Sequence, residues 1–293
     1  MANDIKLGDY NVLRVKELAR REGYGEVFGL YLEGGREGDI LMPQKYVPEH
    51  VRVGDEITCF IYLDQEERPI ATTEQPLAKV GDFAYLECAW VNEYGAFLHW
   101  GLTKDLFCPF REQKRKMEIG NRYIVHVHID EESYRIVASA KVERYLKEDM
   151  AAKHFKRNEE VDILIWQKTE LGFKVIVNNQ YPGLIYQDQI FKSIHTGDRM
   201  KAYVAQLRTD GKLDIALQPI GIAAAEDFSS VLLRYLKENN GYCVLGDKSD
   251  PEAIKHQFQV SKKVFKKAIG DLYKKHLITI EDDGLHLVSP TNV

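Results

Sequence analysis

Three times along this chain a glycine is followed 25 residues later by another: Gly29 to Gly54, Gly95 to Gly120 and Gly172 to Gly197. The flanks repeat with it. The first copy runs through FGLYL, DILMP, VGDEITCFIYLD and RPIATT; the second through YGAFLHWGLTKDLFCPF, IGNRYIVHVHID and YRIVASA; the third through LGFKVIV, PGLIYQ, TGDRMKAYVAQL and KLDIALQ. A repeat constrains the fold before any local reading, because each copy has to be one structural unit. Within the copies apolar residues alternate, as in Tyr123, Val125, Val127 and Ile129, the period-2 pattern of strands with one buried face. Each copy carries about five such runs, broken by glycine or charged turns. Five short strands in roughly 65 residues fit a small closed barrel, which leaves no strand edge open to aggregation.

The copies resemble the S1 family of OB-fold RNA-binding domains, whose marks are a G-[AG]-F strand, a G-L-[VI] strand and a G-D strand start. Here these are Gly95-Ala96-Phe97, Gly183-Leu184-Ile185 and Gly197-Asp198. Such barrels hold single strands by stacking bases on exposed aromatics and pairing phosphates with nearby cations. The resemblance implies four contact positions per copy: the residue before the first glycine, the residue two after it, one on the next strand, and a cation in the last hairpin. In the second copy these are Tyr94, Phe97, Cys108 and Arg135; in the third, Leu171, Lys174, Tyr186 and Lys212; in the first, Phe28, Tyr31, Met42 and Arg68. The first copy lies in acidic surroundings and is expected to be architectural.

From residue 222 the alternation gives way to helical periodicity. AAAEDFSSVLLRYLKENNG reads as a helix with Phe228, Val231, Leu232, Tyr235 and Leu236 on one face and Gly241 as its C-terminal cap. A second helix is expected at Asp250-Pro251-Glu252, with Asp250 capping the free amides and Pro251 in the first turn. A third starts at Ser261 and carries KKVFKKAIGDLYKK. The runs Leu277–Ile280 and Leu285–Val288 flank the hairpin turn Asp282-Asp283-Gly284. Three helices and a hairpin make a winged helix. On the third helix Val264, Phe265, Ala268, Ile269 and Leu272 form the apolar arc, Lys263, Lys267 and Lys274 line the opposite side, and Lys262 and Lys266 flank it. Lysines in a first turn oppose the helix dipole, so Lys262 and Lys263 suit an anion bound there; they equally suit a solvated helix face.

The fold class expected is therefore multidomain and mainly β: three S1-like OB-fold barrels in tandem plus a C-terminal winged-helix domain. The boundaries read as 1–79, 80–146, a helical linker at 147–157, 158–221 and 222–293. This order resembles the bacterial conserved virulence factor B family. The stretches that carry the resemblance are TELGFKVIVN at residues 169–178, GKLD at 211–214, DKSDP at 247–251 and Ser261 through Lys275. It implies RNA binding and regulation of gene expression after transcription; the expected partner is single-stranded RNA, with a ribosomal or RNA-processing protein as a further one.

The net charge of -5 sits awkwardly with a polyanionic partner, since phosphate contacts are electrostatic. By segment, Lys and Arg against Asp and Glu number 10 against 15 in residues 1–79, 10 against 12 in 80–150, 10 against 8 in 151–221 and 10 against 10 in 222–293. The acid concentrates at the N-terminal end, so residues 158–293 are expected to be the stronger RNA-binding half. Cys59, Cys88, Cys108 and Cys243 lie far apart, with no Cys-x-x-Cys pair, and predict reduced thiols. His126 and His128 share a strand face without a carboxylate or thiol at ligand spacing, and Glu131-Glu132 and Asp282-Asp283 point to opposite sides of the chain instead of converging as an acid/base pair. Gly34-Gly35 lacks the phosphate-loop pattern. These features predict no enzyme, no metal, no cofactor and no small-molecule substrate. No apolar run reaches the roughly 20 residues of a membrane span, and MANDIKLGDY lacks a signal-peptide core, so a cytoplasmic protein without a membrane partner is expected. The main rivals are a DNA-binding regulator reading the major groove with the third helix, although that helix offers no outward Arg, Asn or Gln for base edges, and a protein-interaction scaffold for a ribosomal or nuclease partner.

Overall fold

A computed structural model describes residues 5–21, 26–147, 155–190, 192–208, 210–219 and 222–288. Most of the expected linker, residues 148–154, lies outside the described residues; just before it, Val142–Tyr145 forms a 3-10 turn. The chain divides into two compact units, Met1–Tyr145 and Leu146–Val293.

The first unit holds two barrels. One is built from β1 (Tyr10–Arg20), β2 (Val27–Glu33), β3 (Asp39–Pro43), β4 (Glu56–Leu63) and β5 (Pro69–Thr72); the other from β6 (Phe83–Val91), β7 (Gly95–His99), β8 (Leu106–Pro109), β9 (Arg122–Ile129) and β10 (Ile136–Ser139). The second unit holds a third barrel of β11 (Glu160–Thr169), β12 (Gly172–Val177), β13 (Tyr181–Tyr186), β14 (Arg199–Leu207) and β15 (Leu213–Ala216). All three close in the same order, first-second-third-fifth-fourth, with the third and fifth strands parallel.

The repeated glycines have two different physical roles. A Cβ on Gly29, Gly95 or Gly172 would fall on the carbonyl oxygen of Met42, Cys108 or Ile185 across the sheet, so the second and third strands can approach only without a side chain there. The glycines 25 residues on, Gly54, Gly120 and Gly197, have φ of 95°, 81° and 97°, a backbone that glycine adopts at no steric cost. Their N–H groups donate to the carbonyls of Val15, Cys88 and Ile165, each at 2.8 Å. Those residues open a β-bulge in the first strand of every barrel, between Val15 and Glu17, Cys88 and Trp90, and Ile165 and Gln167. The spacing thus ties a turn glycine to a bulge, and a bulge re-aims the side chain that follows it.

Inside the first unit the two barrels share a core. Phe60 and Tyr62 of β4 join the apolar cluster of the second barrel, and Phe60 meets Trp100 edge-on at 6.0 Å. Polar contacts seal the seam: Tyr46 Oη to Thr103 Oγ1 at 2.8 Å, Lys79 Nζ to Asp9 at 3.0 Å, and Leu77 N–H to the Trp100 carbonyl at 2.7 Å. The first barrel's own core is Leu13, Val15, Leu32, Ile40, Met42 and Ile61 among others.

The last domain is a winged helix: α1 (Ile222–Glu238), β16 (Tyr242–Cys243), α2 (Pro251–Phe258), α3 (Lys262–Lys274), β17 (Ile278–Glu281) and β18 (Gly284–Leu287), with sheet order β16-β18-β17. Phe228, Leu232 and Leu236 of α1 pack on Phe265, Ala268, Ile269 and Leu272 of α3. Gly241, at φ 80°, donates to the Leu236 carbonyl beyond the end of α1. Ser261 caps α3 by accepting from Val264 N–H at 3.3 Å. The expected cap on α2 is not made: Pro251 opens the helix, but the Asp250 side chain accepts no amide. With Pro251 at the first position one of the orphan amides is already missing, which weakens the demand for a cap.

Candidate nucleic-acid interface

The three bulges bring one residue of the first strand opposite the residue two after the glycine, and strand register extends the line. In the first barrel the row is Glu17, Tyr31, Leu41, Ile70; in the third, Gln167, Lys174, Leu184, Asp214. In the second it is Trp90, Phe97, Phe107, Val137. Three consecutive aromatics therefore occur on one barrel alone among these rows. Trp90 and Phe97 are stacked with centroids 3.6 Å apart, and Phe107 is tilted against Phe97 at 4.9 Å. The Trp90 indole N–H donates to Asp105 at 3.0 Å, which holds the ring in place while leaving it 43% exposed.

Tyr94, 66% exposed, stands at the end of this face. Its backbone N–H donates to the Asn92 side chain at 2.9 Å, and Asn92 also accepts from Gly95 N–H, so a local side-chain turn presents the phenol. Tyr94, Phe97, Phe107, Arg135, Lys104 and Glu67 all line one groove of about 420 Å³ in the first unit. Arg135 is exposed on the last hairpin, its Nε 3.4 Å from Glu67 Oε1 of the first barrel.

Two expected contact positions are displaced. Cys108 and Met42 are fully buried, inside their barrels; the outward residues are their neighbours Phe107 and Leu41, because a shift of one residue along a strand moves a side chain to the other face. Trp90 was not expected either. Alternation from Leu86 and Cys88 carries Trp90 into the core, and the bulge at Ala89 turns it out.

On the third barrel Lys174 and Tyr186 share the outer face, half-buried, with Leu171 exposed beyond them. Lys174 lies over the Trp166 ring at 5.2 Å, and Lys212 is 3.8 Å from Asp210. Asp214 closes this row, and burial raises its carboxyl above the usual range. The face is less cationic than its lysines alone imply. On α3, Lys263, Lys267 and Lys274 are exposed and make no ion pair within 4 Å among the described residues. The other two are engaged: Lys262 Nζ donates to the Ser249 carbonyl at 2.7 Å, and Lys266 Nζ lies 3.0 Å from Asp247. Lys262 is therefore held in the fold.

His126 and His128 lie on the outside of β9 beneath Tyr145. His126 stacks on that ring at 4.1 Å, and His128 Nε2 is 3.1 Å from the Tyr145 hydroxyl. Burial, reinforced by the neighbouring His128, lowers the His126 pKa to about 4, and burial lowers that of His128. Both stay neutral packing residues at pH 7. Among the described residues one cluster has metal-ligating types close together, Glu281, Asp283 and His286 on the wing hairpin. There His286 is 3.0 Å from Asp283, a hydrogen bond that raises the histidine's pKa. All four cysteines are buried and free, and burial pushes Cys59 and Cys108 up to about 12, well away from reactive thiolates. No helix among the described residues is long and apolar enough to cross a membrane.

Residues 7–74 match the S1 domain family, and residues 230–287 match the CvfB-like winged helix domain. Both are nucleic-acid-binding domain families, and neither is a catalytic one. The conserved virulence factor B of Staphylococcus epidermidis is 25% identical over 276 residues, covering 89% of this chain and 92% of its own. The uncharacterized protein YitL of Bacillus subtilis is 26% identical over 253 residues, 84% of each chain. A crystal structure of a multidomain protein with nucleic acid binding domains from Streptococcus pneumoniae aligns over 96% of this chain and 98% of that one, at 22% identity and a TM-score of 0.40. With an S1 match at residues 7–74, a CvfB-like winged-helix match at residues 230–287 and three barrels of one topology, the chain is similar to conserved virulence factor B over 89% of its length.

Proposed function

We propose that this protein binds single-stranded RNA without catalysing a reaction, and that the second barrel is its principal contact. The observation that carries this reading is the row Trp90–Phe97–Phe107 with Tyr94 beside it. Unpaired bases stack on exposed aromatics at about 1–3 kcal/mol each, whereas a duplex hides its base faces and offers only edges and phosphates. Arg135 borders the same groove and supplies a cation for the backbone. Lys174, Tyr186 and Lys212 on the third barrel, and Lys263, Lys266, Lys267 and Lys274 on α3, add phosphate contacts of a less selective kind, with Lys262 supporting them from within the fold. The role is regulation of gene expression after transcription in the cytoplasm, as the family likeness suggests.

The test is a binding comparison with the purified full chain. Single-stranded RNA and duplex DNA are titrated at two salt concentrations, with wild type and a Tyr94→Ala/Phe97→Ala double variant. Tighter binding to the single strand, lost in a variant that keeps its fold, is expected. Preference for duplex DNA in both proteins would return the function to α3.

A further inference from the structure

The only carboxylate of the first barrel that reaches the groove of the second, among the described residues lining it, is Glu67, and its position is unusual. One oxygen, Oε1, lies 3.1 Å from Lys104 Nζ and 3.4 Å from Arg135 Nε. Both cations belong to the second barrel and both border the aromatic row. Two cations converging on a single oxygen from two directions is how a protein holds a phosphate, yet here the oxygen comes from the neighbouring barrel.

The surrounding structure keeps this arrangement in register. Glu67 sits at the tip of the β4–β5 hairpin with φ 62°, in a turn closed by Glu67 N–H to the Asp64 carbonyl at 3.1 Å and by the Asp64 carboxylate accepting from the N–H groups of Glu66 and Arg68. Lys104 is anchored a second time, donating to the Asp64 carbonyl at 2.6 Å, so it stays in place when the carboxylate leaves. Arg135 hangs from its own hairpin, closed by Asp130 N–H to the Arg135 carbonyl at 2.8 Å. The ion pairs themselves are partly exposed, and such pairs contribute little to stability. Loss of these pairs therefore costs the fold little.

We propose that Lys104 and Arg135 form a phosphate subsite for a strand lying on Trp90, Phe97 and Phe107, and that Glu67 occupies it in the free protein as a built-in competitor. This rests on the reading of the second barrel as a single-strand site and adds to it the position of a backbone phosphate and a function for the first barrel. Glu67 weakens every strand by the same amount, whatever its bases, because it competes at the backbone. It also lowers the salt sensitivity of binding, since the released carboxylate recruits a cation as the phosphate sheds one.

The experiment uses the full chain and a labelled oligouridylate of about ten nucleotides, within the span of one or two such barrels. Glu67→Gln is expected to tighten binding 3- to 10-fold and to steepen the dependence of log K on log salt by about 0.7, one single-strand phosphate contact. Glu67→Asn removes the same charge with a residue suited to the left-handed turn, and provides the measurement should Glu67→Gln fail to fold. Arg135→Gln is expected to weaken the wild type and to abolish the gain in the double variant. Phe97→Ala is measured alongside. If Phe97→Ala weakens binding while neither Glu67 variant tightens it, the competitor role is overturned and the barrel face stands. If Phe97→Ala binds like wild type, the face is not the site and the subsite falls with it.

Discussion

Trp90 and Phe97 face each other across β6 and β7 with ring planes 2° from parallel and centroids 3.6 Å apart. The pair is a stack of two already, so one face of Phe97 is covered before any strand arrives. Trp90→Ala and Phe97→Ala are each expected to weaken single-stranded RNA by about 1–3 kcal/mol. The double variant should lose less than the sum, because the two rings act as one surface. Trp90→Phe keeps a ring while losing the bond to Asp105 and part of the stacking area, and should recover most of the affinity. Fluorescence anisotropy titrations of variants with unchanged circular dichroism decide it; full affinity in Trp90→Ala would contradict the role given to the stack.

Gly95→Ala places a Cβ on the Cys108 carbonyl and within 2.8 Å of the Pro109 Cα. Backbone, unlike a flexible side chain, cannot swing aside. The expected cost is about 1–3 kcal/mol, the range for overpacking a closed structure, seen as a lower midpoint in urea denaturation. An unchanged midpoint would mean that β7 and β8 can separate more easily than the register suggests.

His126 titrates near pH 4 in the folded chain and near its ordinary 6.5 once unfolded. The unfolded state therefore binds the proton more readily. Stability is level above about pH 6.5, falls as the pH drops toward 4, and levels again below. His128 shifts in the same direction and adds to the slope. Urea midpoints measured from pH 4.5 to 7.5 should fall with acidity, and His126→Phe should flatten that fall. An equal slope in the variant would place the acid sensitivity elsewhere.

Charge counting and stacking lead to opposite expectations for the two halves. Residues 151–221 carry 10 basic against 8 acidic residues, yet Asp210 and Asp214 lie beside the lysines of that face, and two of the five α3 lysines are engaged. Surface cations lose most of their effect at about 0.15 M salt, where charges are screened beyond ~8 Å, while stacking persists. Residues 1–147 are expected to bind oligouridylate more tightly than residues 155–293 at that salt, with the gap narrowing at lower salt. Tighter binding by residues 155–293 under both conditions would restore the charge argument.

The barrels and the winged helix were legible because their signals are local and periodic: alternation, a glycine spacing met three times, a Ser261 cap, a two-residue hairpin turn. The site was legible only in part. Tyr94, Phe97 and Arg135 could be placed by likeness to S1 barrels, but Trp90 could not, since a bulge breaks the alternation that a strand is read by. Cys108 stood in for Phe107 by a slip of one residue, and in a strand one residue is the difference between core and surface. Glu67 meeting Arg135 is a contact between two barrels, and no local pattern carries it. The same holds for Lys262 and Lys266, whose partners Ser249 and Asp247 come from the loop before α2.

The shared core of the first two barrels has a consequence for how the chain is made. Phe60 and Tyr62 are threaded long before Trp100, Leu102 and Val127, the residues that cover them. A first barrel leaving the ribosome therefore presents a bare aromatic edge until some seventy further residues have followed, and it matures only when its neighbour does. Translation pauses, chaperone contacts and truncations that fall between Thr72 and Ser139 should thus strand an apolar, adhesive nascent domain, whereas a stop after Tyr145 releases a finished pair.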